Sequence, residues 1–110
     1  MMSQSYKDKI KNSIIEKFAP IGVDEATIEE LTLVSIESIE EELKQIDKLL
    51  QNNEIDKLGI HTHTIKGILL NVGLNDDALL FKEIKHLSEE GKTDEEIKEI
   101  TKERLSIFQQ

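Results

Sequence analysis

The feature that most limits what this chain can fold into is a run of apolar residues spaced alternately three and four apart. Ile36, Ile39, Leu43, Ile46 and Leu50 keep that interval. A helix turns about 100° per residue, so this spacing gathers all five on one side. Such a side is the seam of a helical bundle. Asp24 has the short oxygen-bearing side chain that caps a helix N-terminus, and Asn52-Asn53 reads as a turn. The pattern therefore predicts one long helix over residues 24–51, in which a break, if one occurs, falls near Thr32.

Other segments carry weaker versions of the same period. Ile10, Ile14, Ile15 and Phe18 predict a short helix over about 4–18, followed by the only proline, Pro20, and by Gly22. A third helix is predicted over 55–72, closed by Gly73 in the left-handed position. A fourth is predicted over 76–90, capped by Asn75 or Asp76, with Leu80, Ile84 and Leu87 as its buried stripe and Gly91 as its end. Thr93 and Glu96 form a capping box for a fifth over 94–108. Its stripe of Ile97, Ile100 and Ile107 is interrupted by Arg104. No strand alternation appears. Short loops between amphipathic helices predict an all-α fold. Its form is an antiparallel up-and-down four-helix bundle, with the short N-terminal helix packed across one end. At 110 residues this is one domain, 1–110.

Charge narrows the function. The net charge of -9 argues against nucleic acid and anionic membranes, which both want a basic face. The absence of cysteine excludes disulfides and thiolate metal sites. The N-terminus lacks an apolar signal core, and no stretch approaches about 18 apolar residues; a cytoplasmic protein is expected. Aromatic residues make up 4% of the chain, too few for a stacking platform or an aromatic-lined pocket.

The third helix carries the chemistry, in Ile60-His61-Thr62-His63-Thr64-Ile65-Lys66-Gly67-Ile68-Leu69-Leu70-Asn71-Val72-Gly73. Helical rotation puts Leu58, Ile65, Ile68, Leu69 and Val72 on the core side and His63 opposite them. His61 lies about 160° from His63, so the two cannot share a metal ion. No metal site is expected. His61 reads as a partly buried, hydrogen-bonded side chain, and His86, without a motif, as a surface residue. Within about 60° of His63 lie Gly59, Ile60, Lys66, Gly67 and Leu70. Glycine inside a helix costs about 1 kcal/mol relative to alanine. Gly59 and Gly67, placed away from the core, are explained by clearance for a large partner, with Ile60 and Leu70 as apolar docking contacts. A neutral imidazole is a nucleophile near neutral pH and forms phosphoramidates. Lys66, one turn on, meets the charge of phosphoryl oxygens. No nucleotide-binding loop or kinase motif is present. The histidine therefore reads as a carrier rather than as part of an enzyme, and needs a partner to bring the phosphoryl group.

These residues resemble the signature of histidine-containing phosphotransfer (HPt) domains of two-component phosphorelays. That signature runs histidine, a variable residue, an aliphatic residue, Lys-Gly, then a segment ending in Asn-aliphatic-Gly. His63, Ile65, Lys66, Gly67, Asn71, Val72 and Gly73 match it. A looser likeness runs from the long helix to "LSEEGK". The resemblance implies a four-helix bundle with His63 exposed. A receiver domain of a hybrid sensor kinase or response regulator would dock there and pass its aspartyl phosphoryl group to His63, and a second receiver would take it on. Lys66 is implied as the phosphoryl-stabilising residue and Gly67 as the one that admits the partner. Mg²⁺ belongs to the receiver, so the chain is expected to need no cofactor. Bulky Ile68, Leu69 and Leu70 replace the small residues usual after Lys-Gly, and Thr62 replaces a common alanine; Leu70 bears on which partners dock. Two other readings remain at this stage. One is a helical adaptor that binds receivers without being phosphorylated. The other is a segment of a chemotaxis-type kinase that an ATP-binding domain phosphorylates in trans.

Overall fold

A computed structural model describes residues 2–82 and 84–110. Every regular element in it is helical. The α-helices among the described residues are α1 (Gln4–Phe18), α2 (Glu25–Gln51), α3 (Leu58–Asn71), α4 (Asn75–Leu79) and α5 (Asp94–Leu105). Turns of 3-10 helix occupy Ala19–Ile21, Ile55–Lys57, Ile84–His86 and Ser106–Gln109. At 27 residues, α2 is about 40 Å long, and it sets the long axis of a molecule measuring 47 × 23 × 21 Å.

The ends of α2 follow local chemistry. Asp24 Oδ1 accepts from the Thr27 backbone N–H at 2.7 Å. At the other end Asn53 takes the left-handed conformation, and Glu54 N–H reaches back to the Leu49 carbonyl. No break occurs at Thr32: its hydroxyl is buried and donates to the Ile28 carbonyl one turn back. Ile39, Ile46 and Leu50 of the seam are buried, and Ile36 and Leu43 pack half-buried against the same core.

α1 packs against the N-terminal half of α2. Its Ile14 and Phe18 share a cleft with Leu31 and Val34, and Lys11 pairs with Glu29. The reversal at Pro20 and left-handed Gly22 folds the chain back on itself. The N-cap of α1 and a side chain within it then fasten distant segments. Ser3 N–H donates to the Phe108 carbonyl, and the Tyr6 hydroxyl donates to Asp77 at 2.6 Å. Tyr6 meets Phe108 edge-on at 4.8 Å, and Phe108 stacks on Phe81 at 5.9 Å. Three of the four aromatic residues thus join the first, fourth and last segments of the chain.

The predicted fourth helix is corrected. Only Asn75–Leu79 is α-helical, and Asn75 is its first residue rather than its cap; Leu74 occupies the cap position without a side-chain hydrogen bond. Position 83 lies outside the described residues. The described residues after Leu79 wind more tightly: Leu80, Phe81, Lys82 and Leu87 each donate to the carbonyl three residues back. Burial explains the change. Ala78, Phe81, Ile84 and Leu87 are the buried positions, at a strict interval of three, which suits the 3-10 period and not the period of 3.6. Leu80, expected in the stripe, is only half-buried. The fifth helix starts at the expected capping box, with both bonds between Thr93 and Glu96 present. It ends at Leu105 and not 108, and continues as a 3-10 turn. Arg104 does not interrupt it, because its guanidinium reaches across to the Leu80 carbonyl at 2.8 Å.

Burial, then the hydrogen bond to Asp77, pushes the Tyr6 hydroxyl well above the usual phenol value of about 10. A folded-state value raised in this way gives stability that is full below about pH 10 and is lost as pH rises beyond it. Tyr6 is the only tyrosine, so ultraviolet tyrosinate absorbance reads it alone. Tyrosinate is expected to form only in step with loss of helical circular dichroism. Tyr6→Phe should lose less stability than the wild type between about pH 9 and pH 11. Tyrosinate forming in a still-helical protein would contradict the burial.

Candidate functional site

The candidate site is one side of α3, set by what the opposite side buries. Leu58, Thr62, Ile65, Leu69 and, at the C-cap, Val72 are buried, and Ile68 packs half-buried on the core. Thr62 is a core position that hydrophobic pattern did not reveal. Its hydroxyl donates to the carbonyls of Leu58 and Gly59, so it enters the core without an orphaned polar group. With that side fixed, His63 is exposed.

His61 diverges from His63 as its rotation predicts. Half-buried between α2 and α3, it places Nδ1 2.6 Å from Glu42 Oε2. The carboxylate can only accept, so Nδ1 carries the proton. His86 is exposed, with Nδ1 3.1 Å from Glu89. Among the described residues no group of three histidine or carboxylate side chains is placed to hold a metal ion.

Among the described residues, neither His63 nor Lys66 has a hydrogen-bond or ion-pair partner. Lys66 is half-buried and lies one turn further along. Ile60 is 70% exposed and Leu70 41%. Gly59 is half-buried, and its carbonyl accepts from Thr62. Gly67 is the informative glycine: a Cβ built there meets no atom within 4 Å. No neighbouring element requires the absence of a side chain at this position. The helix carries the propensity cost of glycine, about 1 kcal/mol, with no packing gain to offset it.

The C-terminal end of α3 is closed twice over. Gly73, at φ 90°, completes a Schellman turn in which Leu74 N–H bonds the Leu69 carbonyl at 2.9 Å and Gly73 N–H bonds that of Leu70 at 3.1 Å. From α1, Ser13 Oγ donates to the Val72 carbonyl at 2.7 Å and Lys17 Nζ to that of Asn71 at 2.9 Å. The helix bearing His63 therefore has a fixed end as well as a fixed rotation.

All the site residues expected from sequence lie on α3. Leu31 and Val34 of α2 stand off the seam and, with Ile68 and Asn71, line an open notch that contains none of them. A second apolar cleft lies elsewhere, between Leu43 and Leu50 of α2 and Leu105 and Phe108, and takes no residue from α3. Among the described residues, no helix is long and apolar enough to cross a membrane.

Compared with protein-family models, curated proteins and solved structures, the chain matches none.

The open space at Gly67 predicts that Gly67→Ala stabilises the protein by up to about 1 kcal/mol. A thermal or urea melt measures this. A loss of stability on adding the methyl group would place a neighbour where the structure has none.

Proposed function

We propose that this chain is a phosphorelay carrier of the HPt kind, accepting a phosphoryl group on His63 from a receiver-domain aspartate and yielding it to a second receiver. One observation carries the reading: an exposed, unpartnered histidine stands one turn from an unpartnered lysine and beside a glycine with open space over it. The resemblance of His63 to Gly73 to the HPt signature supports it. In this reading α2, α3, α4 with the tight turns after it, and α5 form the antiparallel up-and-down bundle, and α1 is the additional helix.

The transfer balances without a cofactor on this chain. A lone pair of the neutral imidazole attacks phosphorus, a P–N bond forms, and the P–O bond to the aspartyl carboxylate breaks. The carboxylate leaves with the electron pair, and the Mg²⁺ of the receiver neutralises charge on its own side. Lys66 adds a positive charge beside the phosphoryl oxygens as negative charge spreads over them. Gly67 leaves the backbone bare, so a flat partner surface can approach the ring. Leu70, part-exposed on the same face, contributes apolar contact and sterically filters partners. No nucleotide site is needed, and the carrier works in the cytoplasm, where receiver domains operate.

Incubation with a phosphorylated receiver and Mg²⁺ is expected to label the protein with acid-labile, base-stable phosphate. His63→Gln should abolish the label, while His61→Gln and His86→Gln keep it. Label that survives loss of His63, or receiver binding without any label, would overturn the carrier reading; the second result would leave an adaptor. Lys66→Ala should slow transfer at saturating receiver on the order of tenfold or more, with a smaller effect on docking. Unchanged transfer with a large loss of affinity would make Lys66 a docking residue only.

A further inference from the structure

The two halves of α3 are held unequally. Its C-terminal end is fastened by the Gly73 turn and by Ser13 and Lys17 of α1. Its N-terminal end has weaker support. The N-cap, Lys57, makes no side-chain hydrogen bond, whereas Ser3, Asp24 and Thr93 cap α1, α2 and α5 with theirs. The first turn holds no acidic residue to meet the positive end of the helix dipole. From Gly59 to Thr64 the chain reads glycine, isoleucine, then histidine and threonine twice over, all weaker helix formers than alanine, leucine or lysine. Thr62 bonds backwards to the Leu58 and Gly59 carbonyls, and Thr64 to that of Ile60. Such back-bonding slightly destabilises a helix and often bends it. Leu58 and Thr62 are the buried side chains of this half. A segment of this kind stays helical through what it touches outside itself.

Glu42 supplies the directional part of that hold. Its carboxylate accepts the His61 Nδ1 proton at 2.6 Å, and the two side chains are only 21% and 26% exposed. Among the described residues this is the one side-chain hydrogen bond between positions 58–64 and another helix. His63 follows His61 by two residues, in the half that this bond holds. Lys66 lies in the half held by buried Ile65 and Leu69 and by the closed end. The spacing between imidazole and ammonium therefore spans the junction of the two halves. We infer that Glu42 is a positioning residue for the phosphoryl transfer. Through His61 it keeps the first half of α3 wound in register with the second, so that the His63 ring stays one turn from Lys66 on the same side. This rests on the carrier reading of His63. Without the bond, residues 58–64 open locally and His63 turns away from Lys66 while the rest of the chain stays folded.

The test measures three quantities on the full chain. They are urea stability, amide hydrogen exchange along α3, and the rate at which phosphoramidate, a small donor that needs no receiver, labels His63. In the wild type the amides of Thr62, His63 and Thr64, which bond carbonyls one turn back, should exchange faster than those of Leu69 to Asn71. Glu42→Ala should speed the first set on the order of tenfold and leave the second set and the urea midpoint nearly unchanged. It should slow labelling on the order of tenfold as well. Glu42→Gln, whose amide oxygen accepts the same proton, should restore most of both. Glu41→Ala removes a carboxylate of the same helix that bonds only Gln45, and should behave as the wild type does. If Glu42 acts by keeping His63 beside Lys66, the two losses do not add, and Glu42→Ala should cost little more once Lys66→Ala is in place. Additive losses overturn the inference, as do protection lost evenly along α3, failure of Glu42→Gln to rescue, or an equal loss in Glu41→Ala. Label on wild-type His63 at a rate that Glu42→Ala leaves unchanged sinks the positioning role alone. Failure of phosphoramidate and of every receiver to label His63 sinks the carrier reading and the inference with it.

Discussion

The rotation of α3 about its own axis is the constraint on which the site depends. Thr62, Ile65 and Leu69 have no exposed surface, and turning the helix by even one position would bring His63 or Lys66 toward the core. Two forces hold the setting. Apolar burial acts at roughly 25 cal/mol per Å² and resists any turn that exposes Ile65 or Leu69. The His61–Glu42 bond locks the flank that faces α2. Such a half-buried pair adds little net stability, but it is directional where burial is not. Burial chooses the side of the helix, and the hydrogen bond fixes it more finely.

Position along the axis is controlled separately, by α1. A helix end leaves carbonyls without partners, and those of Asn71 and Val72 are taken by Lys17 and Ser13. The left-handed Gly73 brings the chain so close to α1 that a Cβ there would stand 3.1 Å from Ser13 Oγ. The conformation and the approach both favour glycine. The two motif glycines thus have unlike causes. Gly73 is required by the backbone and its neighbour, whereas among the described residues nothing lies where a Cβ at Gly67 would stand. A residue that costs stability, and that no contact inside the protein explains, is where a demand from outside is most readily seen.

Much of this was legible in sequence wherever the signal was local. Asp24, the Thr93–Glu96 box, Asn52-Asn53 and Gly73 each act on backbone within a few residues, and the helix ends they predict are the ends observed. The side on which His63 stands was legible too, because 100° per residue accumulates little error over ten residues. Residues 76–90 failed for a physical reason. Periods of 3.0 and 3.6 share their first repeat, so Ile84 and Leu87 fit both, and only the burial of Phe81 in place of Leu80 separates them. That choice is made by Phe108, which stacks on Phe81 from far along the chain. Arg104 and Asp77 belong to the same class. Each looks like a surface charge in sequence and is explained only by a distant partner, the Leu80 carbonyl or the Tyr6 hydroxyl.

Where stability sits has a consequence for the site. The aromatic contacts and the Tyr6–Asp77 bond tie the N-terminus, α4 and the C-terminal turn together, and none of them involves a residue of α3. The exposed face of α3 takes no part in those ties. Substitutions at His63, Lys66 or Gly67 therefore leave the interactions that order the chain intact, so the face is free to be shaped by whatever docks on it. Its polarity follows from the same division. An acidic surface keeps the chain dispersed, and its exposed large apolar residues are spread over the molecule: Ile60 and Leu70 stand on the His63 side of α3, while Ile15, Ile21, Leu31, Leu33, Val34 and Leu79 lie on other segments.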